Sequence, residues 1–448
     1  MSDAALDIAE RGLRSALAAG AREAEATCTI ARRFSVRARD TEIDKLEQST
    51  GRGLSLRVFV GEPGKLRRAT LSTTDLSGDG IEIIAKRVVD AAHHVGQDPF
   101  AGLPEARGSL DAGDLEIDAR DVESRPNDEK IADALTLESE ARAFDARIDN
   151  SNGSYVSDAQ VTLGFANSSG SRASYRSTSA SMMANPVGRD GEAKRTAYYS
   201  TAARSWSGCE RPVKVARRAS SRILAMFGAR PIASQKLPVI FERDVASAVL
   251  GDIFAAVSAA NVAIDNSYLA DKVGEKVGSN LVTIVDDGRL ARGMGTSPFD
   301  GEGVPTRRTV VFQNGVLKTH LFDTYYARKL GAQTTGNAAG GGIGPNNFYL
   351  EAGELSLEDL IGQTKRGLLV LSIIGFATEC ATGTYSRGVS GVLIENGELC
   401  QAVDGVTIAS NFLTGILPGI DALASDLRFD SAIAAPSFRV AEMTVSGE

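Results

Sequence analysis

Histidine and cysteine are the residues of this sequence that could bind a catalytic metal ion, and both are scarce. The 448 residues contain three histidines, at positions 93, 94 and 320. His93 and His94 are adjacent, so on a helix their side chains point about 100° apart and cannot chelate one ion from the same face. His320 lies in an alternating segment that predicts a strand, and no partner lies near it in sequence. We therefore expect structural or surface roles for the histidines.

The other residues that could act as nucleophiles lack the surroundings that this chemistry needs. The sequence GVSGV at 388–392 lacks the final glycine of a G-x-S-x-G elbow. The loop GGGIGP at 340–345 fits neither the G-x-G-x-x-G pattern nor a phosphate-binding P-loop. The four cysteines are far apart, form no CxxC pair and are expected to be free, buried thiols: Cys28, Cys209, Cys380 and Cys400.

A set of polar side chains in the carboxy-terminal half could instead bind a peptide. It comprises Asp323, Tyr325, Tyr326, Arg328, Asn337, Tyr385, Ser386 and Arg387, with Thr335 and Gly336 beside Asn337. Arginine and tyrosine can hold the polar groups of a peptide. The glycines of the loop TTGNAAGGGIGPNN at 334–347 would let a peptide backbone approach closely. The alternative is that these residues are turn residues and polar side chains on sheet faces.

Composition indicates a soluble protein of two or three domains, because 448 residues exceed one ordinary core. Apolar residues make up 43% and charged residues 24%, and the 46 glycines indicate many turns and antiparallel sheet. The net charge of −8, without a basic stripe, argues against nucleic acid. Acidic residues near the start, at 3, 7 and 10, and the lack of long apolar runs predict a cytoplasmic protein without membrane segments.

Hydrophobic periodicity predicts an α+β fold. Prolines and glycines that interrupt it at 95–114, and a proline at 231, predict a division into three parts, at residues 1–110, 111–230 and 231–448. The amino-terminal half layers helices against antiparallel hairpins, and the carboxy-terminal domain is mainly antiparallel β. Asn-Gly pairs at 314–315 and 396–397 predict hairpin turns. Helices are predicted near 6–17, 81–92, 126–144, 213–227 and 245–260. Carboxy-terminal strands are predicted at 237–241, 281–285, 309–312, 316–322, 368–374 and 392–394.

Two segments carry a resemblance to a known family. They are VGEKVGSNLVTIVDDGRLARGMGTSPFDGEGVPTRRTVVFQNGVLKTHLFDTYYARKLG, at 273–331, with the glycine-rich loop after it, and TGTYSRGVSGVLIENGEL, at 382–399. They resemble the TldD/PmbA family of two-subunit zinc peptidases, and the PmbA (TldE) subunit more closely than TldD. The resemblance covers nearly the whole chain, and the eight candidate peptide-binding residues lie in its best-matching segments.

The resemblance also implies where the metal site of the family would lie. In TldD subunits an HExxxH motif follows a short strand, and the matching stretch here is KLPVIFERDVASAVLGDIFAAVSAANV, at 236–262. The His-Glu-His positions fall on Gly251, Asp252 and Ala256. The family's further ligand, a cysteine near the carboxy terminus, has no counterpart in LASDLRFDSAIAAPSFRV, at 423–440. The resemblance thus implies a chain without the metal site. Because Asp252 lies on an apolar helix, we expect it to find a hydrogen-bond donor or an interface.

The function implied by the resemblance is that of a non-catalytic, PmbA/TldE-like subunit in cytoplasmic proteolysis of peptides or unfolded segments. Its partner would be a TldD-like subunit that holds zinc, while this chain would hold no cofactor; a homodimer is possible. Two other functions remain open. One is a regulatory binding protein of the gyrase-modulator type, and the other is a hydrolase with an unrecognised nucleophile such as Ser386 or Cys380.

Overall fold

The computed structural model describes residues 2–105, 110, 113–375 and 378–447. The helices are α1 Ser2–Ala18, α2 Gly78–His93, α3 Arg120–Ser124, α4 Asn127–Ala143, α5 Pro212–Leu224, α6 Arg243–Val257, α7 Ala259–Val262, α8 Thr324–Lys329, α9 Leu357–Gly362 and α10 Leu417–Gly419. Short 3-10 and π turns span Trp206–Gly208 and Phe412–Ile416. The strands of the amino-terminal half are β1 Glu23–Arg39, β2 Glu42–Val60, β3 Arg67–Thr73, β4 Ile148–Ser151, β5 Ser154–Asn167, β6 Arg172–Ala184, β7 Pro186–Asp190, β8 Ala193–Thr196 and β9 Tyr199–Ala203. Those of the carboxy-terminal half are β10 Gln235–Phe241, β11 Ile284–Asp287, β12 Arg308–Gln313, β13 Val316–Leu317, β14 Ala338–Ala339, β15 Gly342–Ile343, β16 Phe348–Leu350, β17 Arg366–Ile374, β18 Thr378–Glu379, β19 Thr384–Glu395, β20 Glu398–Asn411, β21 Ile420–Leu423, β22 Ile433–Ala434 and β23 Phe438–Ser446.

A six-stranded antiparallel sheet in the order β3-β2-β1-β5-β6-β9 organises the amino-terminal half. Side chains alternate along a strand, so the even-numbered residues 24–28 and 34–38 of β1 lie on one face. The first set packs against α1 and α2, and the second packs against α4 and α5. Both helix pairs therefore cover the same face. The odd-numbered face, which carries Glu25 and Thr27, is left for the carboxy-terminal half.

A closed sheet forms the centre of the carboxy-terminal half. Its order is β10-β17-β19-β20-β23, and β10 also pairs with β23. Helix α6 contacts β17 of this sheet, and also β16 and β22 of a second sheet ordered β13-β12-β11-β16-β22. Since α6 lies between two sheets, most of its residues are buried, as its apolar sequence predicts. The α+β class and the mainly antiparallel carboxy-terminal domain are confirmed.

Most of the helices and strands that local sequence signals predicted lie at or close to their predicted positions. The two Asn-Gly pairs form the tight β12–β13 and β19–β20 turns, with Asn314 and Asn396 at φ of 50° and 53°. Gly391 in β19 is also required, because a Cβ there would lie 1.9 Å from the carbonyl oxygen of Leu369. The division of the chain at residues 110 and 230 stays a prediction.

The strand predicted at 392–394 is only part of β19, Thr384–Glu395, and two further strand predictions extend beyond the strands observed. The strand predicted at 316–322 ends at Leu317, because the chain then leaves β12 and Leu321 hydrogen-bonds to Val257 at the end of α6. The strand predicted at 281–285 begins only at Ile284, since Val282 closes a turn onto Ser279. Both errors arise where an apolar alternation continues into a segment that is held by non-strand contacts.

The histidines and cysteines hold mostly the expected positions. His93 ends α2 and is exposed, as is His94 after it. His320 lies outside a strand, contrary to prediction; it is buried, and its Nε2 lies 3.2 Å from the carbonyl oxygen of Ala270. The cysteines are free, but the expected burial holds for Cys28 alone, since Cys209 and Cys380 are half-buried and Cys400 is exposed. No helix in the described parts of the chain is long and apolar enough to cross a membrane.

Candidate functional site

The positions that match the family's metal site lie on the second half of α6. Glu242 caps this helix by accepting a hydrogen bond from the backbone N–H of Asp244. Gly251 offers no side chain, and Ala256 is completely buried. Neither position can therefore supply a metal ligand, and Asp252 is the one polar side chain of the three.

Asp252 forms an ion pair with Arg387 of β19. Nη2 of Arg387 lies 3.0 Å from Oδ1 and 2.9 Å from Oδ2 of Asp252. The hydroxyl of Thr378 also donates to Oδ2, at 2.9 Å. Burial raises the pKa of Asp252, and the positive charge of Arg387 opposes that rise. The predicted hydrogen-bond donor for Asp252 is thus confirmed, and both carboxylate oxygens are engaged.

This arrangement does not fit a bound zinc ion. A zinc site needs several nitrogen, sulfur or oxygen ligands around one point. At this place Asp252 is joined by a guanidinium, and Nη1 of Arg387 donates to the carbonyl oxygen of Gly375 at 2.8 Å. Among the residues that the structure describes, no group of three or more His, Cys, Asp or Glu side chains is placed to hold a metal. The positively charged guanidinium of Arg387 therefore lies beside Asp252, where a metal ion would need further ligands.

Tyr385 and Ser386 neighbour this ion pair on β19 but differ in setting. Tyr385 is fully buried, and its ring lies edge-on to Phe241 and Phe412, with centroids 6.4 Å and 5.7 Å away. Its hydroxyl has no hydrogen-bond partner among the residues that the structure describes. Ser386, with its side chain on the other face of the strand, is half-buried. Tyr385 therefore belongs to the core, whereas Ser386 is partly open to solvent.

Cys380, the other candidate nucleophile, lies near the same ion pair. It is half-buried, and burial, together with the negative charge of Asp252, raises the pKa of its thiol. A raised pKa disfavours the reactive thiolate form at neutral pH. The position therefore favours a structural thiol.

The candidates around α8 serve mainly to join the two halves of the chain. Asp323 caps α8 by accepting from the backbone N–H of Tyr326 at 2.7 Å. Arg328 donates to the carbonyl oxygens of Phe100 and Gly102, at 3.2 Å and 2.9 Å, and also to that of Leu103. The ring of Tyr325 lies edge-on to Phe100, with centroids 6.2 Å apart, and also to Tyr326, at 5.0 Å. Of these residues, Arg328 is exposed, Tyr325 and Tyr326 are half-buried, and Asp323 is buried.

Asn337 lies in the glycine-rich loop, beside a pocket between the two halves. Its Nδ2 donates to Asp286 at 2.7 Å, and Asn346 of the same loop donates to that carboxylate at 2.9 Å. The pocket has a volume of about 250 Å³. Its walls come from the amino-terminal sheet and from the carboxy-terminal loops, and include Leu163, Phe165, Tyr175, Phe299, Asp300 and Asn337. The loop is thus built around a buried carboxylate.

A buried charge cluster behind this pocket was missed by sequence reasoning. Glu25 of β1 lies directly opposite Arg57 of β2, and Nε of Arg57 donates to it at 2.7 Å. Arg57 also lies 3.6 Å from Glu302 of the carboxy-terminal half. Burial raises the pKa of Glu25 to about 7 and that of nearby Asp300 to about 7. The opposite charges of Glu25 and Arg57 on the two strands of a hairpin could have indicated this pair from the sequence. No sequence signal indicated that Glu302 would lie beside them.

A groove of about 540 Å³ runs beside α6. Its walls include Val245 and Ala248 of α6, residues Leu371–Ile374 of β17, Tyr198 and Arg222. Strand β10 pairs with β17 only at Leu368–Val370, so the edge of Leu371–Ile374 on that side faces the groove. Ile374 is 64% exposed there. The groove therefore combines strand backbone with apolar and charged side chains.

Comparisons with known proteins agree over the whole length of the chain. Domain models of the PmbA/TldA metallopeptidases match it as domain 1 at residues 24–92, as the central domain at 120–227 and as the C-terminal domain at 234–447. The Metalloprotease PmbA homolog of Haemophilus influenzae is 31% identical and is aligned over 100% of this chain and 98% of its own length.

Two further similarities concern the other subunit and the fold. The Metalloprotease TldD homolog of the same Haemophilus strain is 28% identical over 41% of this chain and 42% of its own. The crystal structure of a candidate modulator of DNA gyrase from Bacteroides thetaiotaomicron has a TM-score of 0.90 and 28% identity, covering 99% of this chain and 98% of that one. The chain belongs to the PmbA/TldD metallopeptidase family.

Proposed function

We propose that this chain is the non-catalytic, PmbA/TldE-like subunit of a cytoplasmic zinc-dependent peptidase. The observation that carries the proposal is the ion pair between Asp252 and Arg387, at the place where the family's catalytic subunits have a general base. A base in a metallopeptidase must be free to take a proton from a metal-bound water. Here the carboxylate is engaged by a guanidinium, and the flanking positions are Gly251 and Ala256.

A TldD-like subunit is the partner that this proposal requires, since zinc and its ligands must come from another chain. Relatives named PmbA homolog and TldD homolog occur in one Haemophilus strain, which supports such a pairing. The two chains would together enclose the peptide. A peptidase of this kind would act on peptides or unfolded segments, which can enter an enclosed site.

The groove beside α6 supports a role in holding an extended peptide. An extended segment can add to the open edge of a strand, where main-chain hydrogen bonds give affinity and side-chain pockets give selectivity. Leu371–Ile374 offer such an edge, and Ser386 and Arg387 lie on the neighbouring strand. The other sequence-based peptide contacts, at Asp323, Tyr325, Tyr326, Arg328, Asn337 and Tyr385, stay predictions.

Coexpression with the TldD-like subunit tests the proposal directly. We expect the two chains to copurify, and peptide cleavage to require both chains and to stop when a chelator removes zinc. This chain alone should not cleave unstructured peptides, because no described residue is placed as an activated nucleophile or metal ligand. Size-exclusion chromatography with light scattering measures the complex, and a fluorogenic peptide measures cleavage. Equal cleavage by the partner alone, without a detectable complex, would refute the accessory role.

The purified chain should contain far less than one zinc ion per molecule. Elemental analysis after tag removal measures this, with the TldD-like subunit purified in parallel as the positive control. A Gly251→His, Ala256→His variant should stay zinc-poor, because Asp252 remains bound to Arg387 and a third ligand is lacking. Close to one tightly held zinc per wild-type chain would contradict the proposal.

A second candidate function is regulatory binding to DNA gyrase, favoured by the description of the similar Bacteroides protein. This function would need neither zinc nor a TldD-like partner. Purified gyrase immobilised on a sensor surface separates the two proposals. Saturable binding of this chain to gyrase, together with peptide cleavage that does not require this chain in the coexpression experiment, would favour the regulatory role.

A further inference from the structure

The pocket between the two halves has a buried amide group in its wall, that of Asn337. Its Nδ2 donates to the carboxylate of Asp286 at 2.7 Å and to the carbonyl oxygen of Gly344 at 3.0 Å. Both partners are acceptors, so they fix which end of the amide carries the nitrogen. Oδ1 of Asn337 has no hydrogen-bond partner among the residues that the structure describes, although the residue is only 2% exposed. A buried polar atom of this kind is costly unless a donor reaches it.

Asp300 supplies a second acceptor in the wall of the same pocket. Its Oδ1 accepts from the backbone N–H groups of Glu302 and Val304, both at 2.9 Å, and its Oδ2 accepts from that of Ala338 at 3.0 Å. A carboxylate oxygen can accept two hydrogen bonds, so Oδ2 can take one more. Because Ala338 directly follows Asn337, the carboxylate of Asp300 lies beside the amide of Asn337.

The charges around this pocket favour a cation. Four buried carboxyl groups lie in or next to its walls: Glu25, Asp286, Asp300 and Glu302. Arg57 pairs with Glu25 and Glu302, and Arg204 donates to the carbonyl oxygens of residues 293, 294 and 296. In the described parts of the chain, the hydrogen-bond donors of Asp300 are all backbone N–H groups. A positive charge beside Asp300 would therefore offset an excess of negative charge.

Aromatic side chains form the apolar part of the wall. The ring centroid of Phe299 lies 5.5 Å from that of Phe165 and 5.4 Å from that of Tyr175, and all three residues line the pocket. Aromatic rings pack against apolar groups and attract cations to their faces. The volume of about 250 Å³ far exceeds the ~30 Å³ share of one water, but lies just below the ~300–1,000 Å³ of typical ligand pockets. The pocket therefore suits a small organic molecule better than a metal ion or a peptide.

We propose that this pocket binds a small primary amine, with its ammonium group between Asn337 and Asp300 and its apolar body against the aromatic rings. An ammonium group has three N–H donors, which can reach Oδ1 of Asn337 and the remaining site on Oδ2 of Asp300. A neutral alcohol would bring one donor and no charge, and a carboxylate would add to the negative charge. The inference concerns a small-molecule site, and it does not depend on the proposed role in proteolysis.

Isothermal titration calorimetry of the full chain with three probes tests the chemistry of the site. At pH 8, above the raised pKa of Asp300, phenethylamine should bind with a dissociation constant below about 1 mM. It should bind at least about tenfold more tightly than phenethyl alcohol, which has the same body without the charge. The tripeptide Phe-Gly-Gly carries an ammonium group and the same ring on a longer chain, and should bind more weakly than the amine because it exceeds the pocket.

Three results with these probes would overturn the proposal. The first is the lack of saturable binding of phenethylamine up to about 10 mM. The second is equal binding of the amine and the alcohol, which would mean that the ammonium group is not recognised. The third is tighter binding of the tripeptide, which would assign the site to the amino terminus of a peptide instead of a small amine.

Two substitutions locate the binding in this pocket. Ala339 is exposed and lines the pocket, so Ala339→Trp should obstruct it and weaken phenethylamine binding at least about tenfold. Ala332→Trp is the matched control, since Ala332 is exposed and lies outside the pocket wall; this variant should bind like wild type. Unchanged binding by Ala339→Trp would contradict the proposed location.

Asn337→Ala tests the role of the amide oxygen. This variant should lose most of the preference for the amine, to below about threefold over the alcohol, because one acceptor of the ammonium group is removed. A merely structural role of Asn337 would weaken both probes and leave their ratio unchanged, which would refute its contact with the ammonium group. Circular dichroism checks that each variant is folded, and the Ala339→Trp result decides the location even if Asn337→Ala does not fold.

Discussion

Replacing Arg387 by alanine is expected to lower the free energy of unfolding by about 3 kcal/mol, because it leaves the buried carboxylate of Asp252 without its partner. The two side chains are only 9% and 18% exposed, so water can replace the guanidinium only in part. Thr378 would remain as a donor to one oxygen. The loss should therefore far exceed that of an exposed ion pair.

Urea unfolding of four proteins measures the coupling: wild type, Arg387→Ala, Asp252→Ala and the double variant. The double variant should be less destabilised than the sum of the single ones, because no unpaired charge remains buried. Lys236→Ala, in an ion pair whose side chains are 66% and 61% exposed, is the surface control and should change stability by less than about 1 kcal/mol. If Arg387→Ala lowered the free energy of unfolding no more than the control Lys236→Ala, the burial of the Asp252 carboxylate would not depend on its ion pair with Arg387. The ion pair would then no longer support the proposed loss of catalysis.

Stability should fall as the pH rises from 5 to 8, owing to the charge cluster between the two halves. Burial raises the pKa of Glu25 from 4.5 to about 7 and that of Asp300 from 3.8 to about 7. In this window the folded chain holds protons that the unfolded chain has already released, so rising pH favours unfolding. The contribution is fully present below about pH 4 and is lost as the pH passes 7. This contribution to the free energy of unfolding is on the order of 3 kcal/mol for each carboxyl group.

The charged groups around Glu25 set the size of this effect. Arg57 lowers the pKa of Glu25, whereas Glu302 and Asp300 raise it, so the positive charge of Arg57 offsets only part of the effect of burial on Glu25. Glu210, whose pKa is lowered to about 2 by Lys214, Tyr199 and Arg428, titrates below this window and does not change the slope there. The direction of the pH dependence therefore follows from the raised pKa values at the interface.

Glu25→Gln identifies the source of the pH dependence. Urea midpoints at pH 5, 6, 7 and 8 should show a slope reduced by roughly a third in this variant, since Glu25 is one of three carboxyl groups, with Asp300 and Asp286, whose pKa burial raises into this window. Glu442→Gln changes an exposed carboxylate and should keep the wild-type slope. An unchanged slope in Glu25→Gln would show that this cluster does not titrate in the window.

Sequence patterns determined the local parts of this structure. Apolar periodicity placed α2 to within a few residues, and Asn-Gly placed two hairpin turns, because backbone preference and one-sided burial act over a few neighbouring residues. The residues at the positions that match the family's metal site, Gly251 and Ala256, could also be read from the sequence. Identifying these positions required only a comparison with the family's motif, and no knowledge of contacts between distant segments.

Tertiary structure alone decided which distant side chains meet. Asp252 and Arg387 are 135 residues apart and come together because α6 packs against the closed sheet that contains β19. Glu25 and Glu302 share Arg57 because the odd-numbered face of β1 turns towards the carboxy-terminal half. The sequence predicted a strand up to residue 322, but contacts with α6 end it at Leu317. Such pairings depend on sheet closure and on packing between halves, and a local pattern of residues cannot specify either.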